Sequence, residues 1–126
     1  MHKQRIAVAD NLNLVVDVGG HADGLPVILL HGGGQTRHSW KHLAQVLIRN
    51  GCHVTNVDLR GHGESDWSAA SDYGIDFFIH DLRALIALQK RPPVLVGASL
   101  GGITSLLTVG ESETAIASGL APVDIV

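Results

Sequence analysis

Ser99 stands two residues after Gly97 and two before Gly101, in the run Val94-Leu-Val-Gly-Ala-Ser-Leu-Gly-Gly102. Three apolar residues lead into it, and a second apolar run, Ile103 to Val109, leads away. That pattern reads as a strand, a sharp turn and a helix, with a G-x-S-x-G pentapeptide at the turn. A serine at such a tip is held in a strained backbone conformation with its oxygen pushed out of the sheet. The chain crowds itself on either side of it, so only very small side chains fit at the two flanking positions. The helix begins directly behind the serine and aims free N–H groups and the positive end of its dipole at the hydroxyl. The chemistry would be nucleophilic attack on an acyl group. The pentapeptide alone fits an ordinary connection equally well, so the reading needs a second segment that supplies oxyanion donors.

His31-Gly-Gly-Gly-Gln-Thr-Arg-His38 is that segment. It follows the apolar run Pro26–Leu30, and its glycines let the backbone approach a developing oxyanion closely. The N–H of Gly33, or of Gly34 if the loop sits one residue over, would pair with the N–H of Leu100. Each such donor is typically worth about 3 kcal/mol of barrier. His31 and Gly32 would line the same pocket, with His31 hydrogen-bonding locally to fix the loop. A phosphate-binding loop would need a Gly-Lys-Ser/Thr ending, and a dinucleotide fingerprint would need a third glycine in register; the segment has neither.

Asp58-Leu-Arg-Gly-His-Gly-Glu-Ser65 and Asp124 complete the set. Asp58 and Arg60 read as loop-holding residues and Glu64 as solvated. Trp67 reads as pocket wall or surface, and Asp124 as a strand-end carboxylate lining the pocket or an acid partner. Trp40, on a helical stripe, reads as core.

Positioning these residues requires alternating elements. Arg5–Ala9 and Leu12–Val18 read as a hairpin about Asp10-Asn11, and Pro26–Leu30 as a strand covered on both faces. From Ser39 the pattern turns helical, with Trp40, Leu43, Ala44, Val46 and Leu47 on one stripe and Gly51 as the stop. His53–Leu59 reads as a strand, about Ile75 to Gln89 as a helix with Phe78, Leu82, Leu85, Ile86 and Leu88 inward, and Ile116–Val126 as a last strand. This predicts an α/β fold, a mostly parallel sheet of about six strands with helices on both faces. Ligands of such sheets bind beyond the carboxyl ends of the strands. His31–Gly34, Asp58–Ser65, Ser99 and Asp124 all fall at such ends.

The 126 residues suffice for one domain, and 45% apolar content with mean hydropathy +0.22 calls for a real core. A net charge of −3 and a pI near 6.2, with scattered basic residues, give no footprint for nucleic acid or an anionic membrane. The single cysteine, Cys52, reads as a small buried hydrophobe, and with no apolar span or signal segment a cytoplasmic protein is expected. No cofactor or metal is expected: His38 and His42 share a helical spacing but lack a third ligand.

Taken together, Leu29–Gly34, Asp58–Ser65 and Gly97–Gly102 resemble the α/β-hydrolase superfamily, in its order and roughly its spacing. The resemblance implies the oxyanion hole in the first piece, a pocket wall in the second and the nucleophile in the third. It implies that residues 1–126 are the N-terminal part of the core domain, lacking cap and last strands. A serine at the tip argues against the epoxide hydrolase and dehalogenase branches, which use aspartate. In the family the triad acid and histidine follow the serine. None of the eight histidines here matches that base; His2, His21, His53 and His80 read as surface or element-end residues. Two expectations stand. One is a carboxylesterase-like serine hydrolase, or a perhydrolase using the same serine, acting on a small ester or acyl substrate through an acyl-enzyme. The other is an inactive half-domain that binds or oligomerises. In either case Ile116–Val126 would be an open edge, and Leu106, Leu107 and Val109 would be exposed, so pairing with a C-terminal fragment or a second copy is expected.

Overall fold

The computed structural model describes residues 1–123. Six strands form one sheet in the order β1-β2-β4-β3-β5-β6. Strands β1 (His2–Ala9) and β2 (Leu12–Gly19) make the expected hairpin, turned at Asn11 with φ 56°. β2 runs antiparallel to β4 (His53–Val57); β3 (Pro26–Leu30), β4, β5 (Val94–Ala98) and β6 (Gly119–Val123) are mutually parallel. β3 sits at the centre and all five of its residues are buried, which is why its sequence is continuously apolar rather than alternating.

Successive β3 side chains serve opposite faces. Ile28 and Leu30 join Leu14, Val16, Val57 and Leu95 under Phe78, Leu82 and Leu85 of α2 (Ile75–Ala87), with α3 (Leu100–Gly110) beside it. Val27 and Leu29 join Val54 under Ala44 of α1 (Lys41–Arg49), flanked by half-buried Trp40, Leu43, Leu47 and Ile48. Each fully buried leucine contributes about 2 kcal/mol of burial, so the two clusters hold the helices on both faces as the pattern predicted.

Several boundaries differ from the sequence reading, each for a local reason. The helix expected from Ser39 begins as a 3-10 turn, Arg37–Trp40, whose His38 N–H is accepted by the Thr36 side chain. β4 stops at Val57: Asp58 N–H still bonds to Val15 of β2, but the next N–H, of Leu59, goes to the His31 side chain instead of a strand. α2 stops at Ala87. Leu88, expected inward, caps the helix and is 63% exposed, while Ile79 and Asp81 are buried instead. The last strand starts at Gly119 rather than Ile116, where its partner starts: Gly119 pairs with Val94, the first residue of β5, and Ser118 N–H bonds to the Pro93 carbonyl just before it. Residues 124–126, and with them Asp124, lie outside the described residues. Among the described residues no helix is long and apolar enough to cross a membrane.

Candidate active site

Ser99 connects β5 to α3 with φ 51° and ψ −112°, a left-handed conformation unusual for a non-glycine residue. Its neighbours are small because the backbone leaves no room. A Cβ on Gly97 would lie 2.5 Å from the Gly101 carbonyl carbon, and one on Gly101 would collide with the Leu30 carbonyl. The Ser99 N–H donates to the Val123 carbonyl (3.1 Å) and its carbonyl accepts from Ile103 (2.9 Å). Its side chain is exposed and makes no capping bond to the helix. The other serines near the rim are spoken for. Buried Ser65 donates to the Asp58 carbonyl and accepts from Val15 N–H, and buried Ser105 donates to the Gly101 carbonyl.

The glycine-rich loop lies across this turn. A Cβ on Gly32 would be 3.4 Å from Ser99 Cβ, and one on Gly33 would be 3.9 Å from Leu100 Cβ. The loop amides are not equivalent. Gly32 N–H donates to Gln35 Oε1 (3.0 Å) and Gly34 N–H to His62 Nε2 (3.1 Å). Among the described residues neither Gly33 N–H nor Leu100 N–H, at the first turn of α3, has a hydrogen-bond acceptor. Of the two alternatives for the loop donor, Gly34 is therefore already engaged and Gly33 is open.

His31 was expected both to fix the loop and to line the pocket. It does the first and not the second, being fully buried. Its Nε2 accepts from Leu59 N–H (3.0 Å), so the ring proton sits on Nδ1 and is donated to the Gly32 carbonyl (2.7 Å). Burial holds its pKa below the ordinary histidine value, with the bond to Gly32 acting the other way. The neutral form matches both bonds. His62 likewise uses both ring nitrogens, on Gly34 N–H and the Arg60 carbonyl. Neither histidine has a lone pair left for the Ser99 proton.

A charged network fixes the loops below the rim. Asp58, fully buried, accepts from the Arg37 N–H (2.7 Å), the Arg37 guanidinium and Glu64 N–H (2.9 Å). Arg37 also reaches Asp17 (2.9 Å) and Glu64 (2.8 Å). Burial opposes its charge, but the bonds to Glu64, Asp17 and Asp58 outweigh it and raise its pKa. Glu64, expected to be solvated, is half exposed yet tied to Arg37 and Lys3, which lower its pKa to about 2. Arg60 makes a bidentate pair with Asp81 at 2.7 Å on both arms and donates to the Asp72 carbonyl. Sequence reasoning missed Arg37 and Asp81. Asp81 had a readable signal, since it lies three residues after Phe78, on the buried stripe of α2 with Leu82 and Leu85.

Trp67 is 75% exposed, which settles its two readings as surface. A 320 Å³ cavity lies between the β1–β2 turn and α2, lined by Leu12, Arg60, Asp72, Asp76, Phe77 and His80 among others, and not by Ser99. No group of three or more His, Cys, Asp or Glu side chains able to hold a metal occurs among the described residues.

Residues 27–125 match the family model described as "Alpha/beta hydrolase family". Among curated proteins the chain is 30% identical over 110 residues to protein phosphatase methylesterase 1 of Mus musculus, covering 83% of this chain and 28% of that protein. It is 33% identical over 98 residues to the non-heme chloroperoxidase of Streptomyces lividans, covering 77% and 35%. A solved esterase from Exiguobacterium antarcticum superposes with a TM-score of 0.86 at 26% identity, over 96% of this chain and 44% of that one. The chain thus spans about a third of the length of the curated relatives it matches. The strained serine between two obligatory glycines, the glycine-rich loop laid across it and the match over residues 27–125 lead to one assignment: this chain belongs to the alpha/beta hydrolase family.

Proposed function

We propose that residues 1–126 are the N-terminal part of an α/β-hydrolase core carrying the nucleophile and oxyanion hole of a carboxylic ester hydrolase. One observation carries the reading: an exposed, uncapped Ser99 at φ 51° lies beside two N–H groups, of Gly33 and Leu100, that lack acceptors among the described residues. Ser99 Oγ attacks the acyl carbon and its proton passes to a base. The two N–H groups hold the oxygen that becomes negative, and the alcohol leaves with that proton. Water then attacks the acyl-enzyme, giving the acid and restoring Ser99. The base and its orienting acid come from sequence outside residues 1–123 or from another chain, because His31 and His62 are committed to the loops. The similarity to a protein named as a methylesterase supports ester chemistry. The similarity to a chloroperoxidase keeps perhydrolysis by the same serine as a second reading.

The same assembly covers the outward face of α3 and the outer edge of β6 with a C-terminal segment or a second copy. α3 turns its small residues Gly101, Gly102, Thr104, Ser105 and Thr108 inward and leaves Ile103, Leu106 and Leu107 about 40% exposed. Val109, expected to be exposed with them, packs on the core. The test is turnover of a short-chain aryl ester by the protein that carries this chain, compared with its Ser99→Ala variant. Equal turnover by the two would reject Ser99 as the nucleophile, and no turnover by either would leave a non-catalytic binding module.

A further inference from the structure

Resting on the reading of Ser99 as nucleophile, we infer that His62 is a positioning residue for the oxyanion hole: it holds the Gly33–Gly34 peptide so that Gly33 N–H, and not its neighbour, faces the reacting oxygen. The peptide unit that carries Gly33 N–H also carries the Gly32 carbonyl, pointing the opposite way within one plane. That carbonyl accepts from His31 Nδ1–H (2.7 Å) and from Gln35 N–H (3.1 Å), which turns the Gly33 N–H away from both. The next peptide unit, between Gly33 and Gly34, joins two residues without side chains. It is free to flip unless its N–H is held. The one acceptor that N–H has among the described residues is His62 Nε2, at 3.1 Å.

The geometry also specifies the state of the ring. A backbone N–H can only donate, so His62 Nε2 carries the lone pair and Nδ1 carries the proton, which goes to the Arg60 carbonyl at 2.9 Å. Arg60 is itself immobilised by its two-armed pair with Asp81. The chain of constraint therefore runs from Asp81 in α2, through Arg60 and His62, to Gly34 in the loop after β3. His31 bridges the same two loops from beneath, from Leu59 N–H to the Gly32 carbonyl, with its ring centroid 4.9 Å from that of His62. Two imidazoles in the same tautomer thus cross-link the oxyanion loop to the segment leaving β4, one on each peptide flanking Gly33.

The test uses the turnover-competent protein that carries this chain, with His62→Leu and His62→Gln. Glutamine keeps an acceptor near the Nε2 position; leucine removes it. The expected result is a fall in kcat of tenfold or more for leucine, toward the ~10² loss seen when an oxyanion donor is removed. KM should stay within about twofold, because the lost interaction belongs to the transition state. Glutamine should recover most of kcat. Unchanged kcat in leucine, equal loss in both variants, or a loss confined to KM would overturn the inference while leaving the Ser99 reading intact. A wild type whose turnover survives Ser99→Ala would overturn both. Should the leucine variant fail to fold, the wild-type ring decides. Two-bond nitrogen–proton NMR of His62 should show the Nδ1–H tautomer at neutral pH; an Nε2–H or averaged ring would overturn the inference.

Discussion

The two sides of the rim are built by different means. On the β2–β4 side, buried charges do the holding: Arg37 gathers Asp17, Asp58 and Glu64, Arg60 grips Asp81, and two histidines stitch the loops together. On the β5–β6 side there is no ion pair among the described residues. Ser99 is held by steric exclusion at Gly97 and Gly101 and by one bond to Val123, and α3 turns large apolar side chains outward. The oxyanion side is tied together from within: its buried charges are paired and its two histidines are engaged, while Gly33 N–H is left open among the described residues. On the nucleophile side α3 leaves Ile103, Leu106 and Leu107 about 40% exposed, and β6 is the outer strand of the sheet. This division suits the proposed chemistry: the donors are fixed before substrate arrives, and the groups that must exchange a proton with Ser99 come from the open side.

Breaking the nucleophile side should have the largest effect. Gly101→Val drives a branched side chain into the Leu30 carbonyl and the β3 backbone, which cannot move without displacing the central strand. A loss of about 4 kcal/mol or more is expected, in the exceptional range for single substitutions, and urea unfolding would measure it. Retention of full stability would mean that the tight turn is not formed.

Asp81→Ala should come next. It leaves the Arg60 guanidinium buried without its partner, a change that typically costs about 3–5 kcal/mol. Replacing both residues by apolar ones, Arg60→Met with Asp81→Leu, should recover much of the stability but not the His62 anchor. A cost under about 1 kcal/mol for Asp81→Ala would place the pair among solvent-screened bridges.

His31 offers a smaller, pH-dependent effect. Its folded-state pKa lies below the ordinary 6.5, so the unfolded chain binds the extra proton first. The contribution is fully present above 6.5 and is lost as pH falls through the lower folded-state value. Unfolding free energies should therefore drop between neutral and mildly acidic pH, and His31→Gln should flatten that part of the slope. An identical slope in both proteins would show that His31 does not titrate on unfolding.

The smallest effect should come from the outward face of α3. Leu106→Lys with Leu107→Gln removes exposed apolar surface and should change the stability of residues 1–126 by no more than about 0.5 kcal/mol. Self-association seen by sedimentation should fall. Unchanged association would exclude that face from the contact.

The backbone of this site was legible because its constraints are local. Two glycines about Ser99, a glycine run after an apolar strand and the order of strands and helices are each written in neighbouring residues. What escaped depends on distant pairs. Arg37 looked like a loop residue, yet it is 5% exposed because carboxylates from β2, the end of β4 and the following loop converge on it. The choice between Gly33 and Gly34 could not be read at all, since it turns on His62, 28 residues away. The boundary errors at Leu59, Leu88 and Ile116 share one cause: apolar residues beyond an element's end look like part of it until their backbone partners are known.

Mapping the adduct of an organophosphonate on the turnover-competent protein tests the central claim most directly, because the reagent reports which oxygen is both activated and placed before an oxyanion hole. The account predicts a single adduct on Ser99, abolished by Ser99→Ala, with buried Ser65 and Ser105 unmodified. An adduct on Ser65 or Ser105, one that survives Ser99→Ala, or an active protein that takes no label would contradict it.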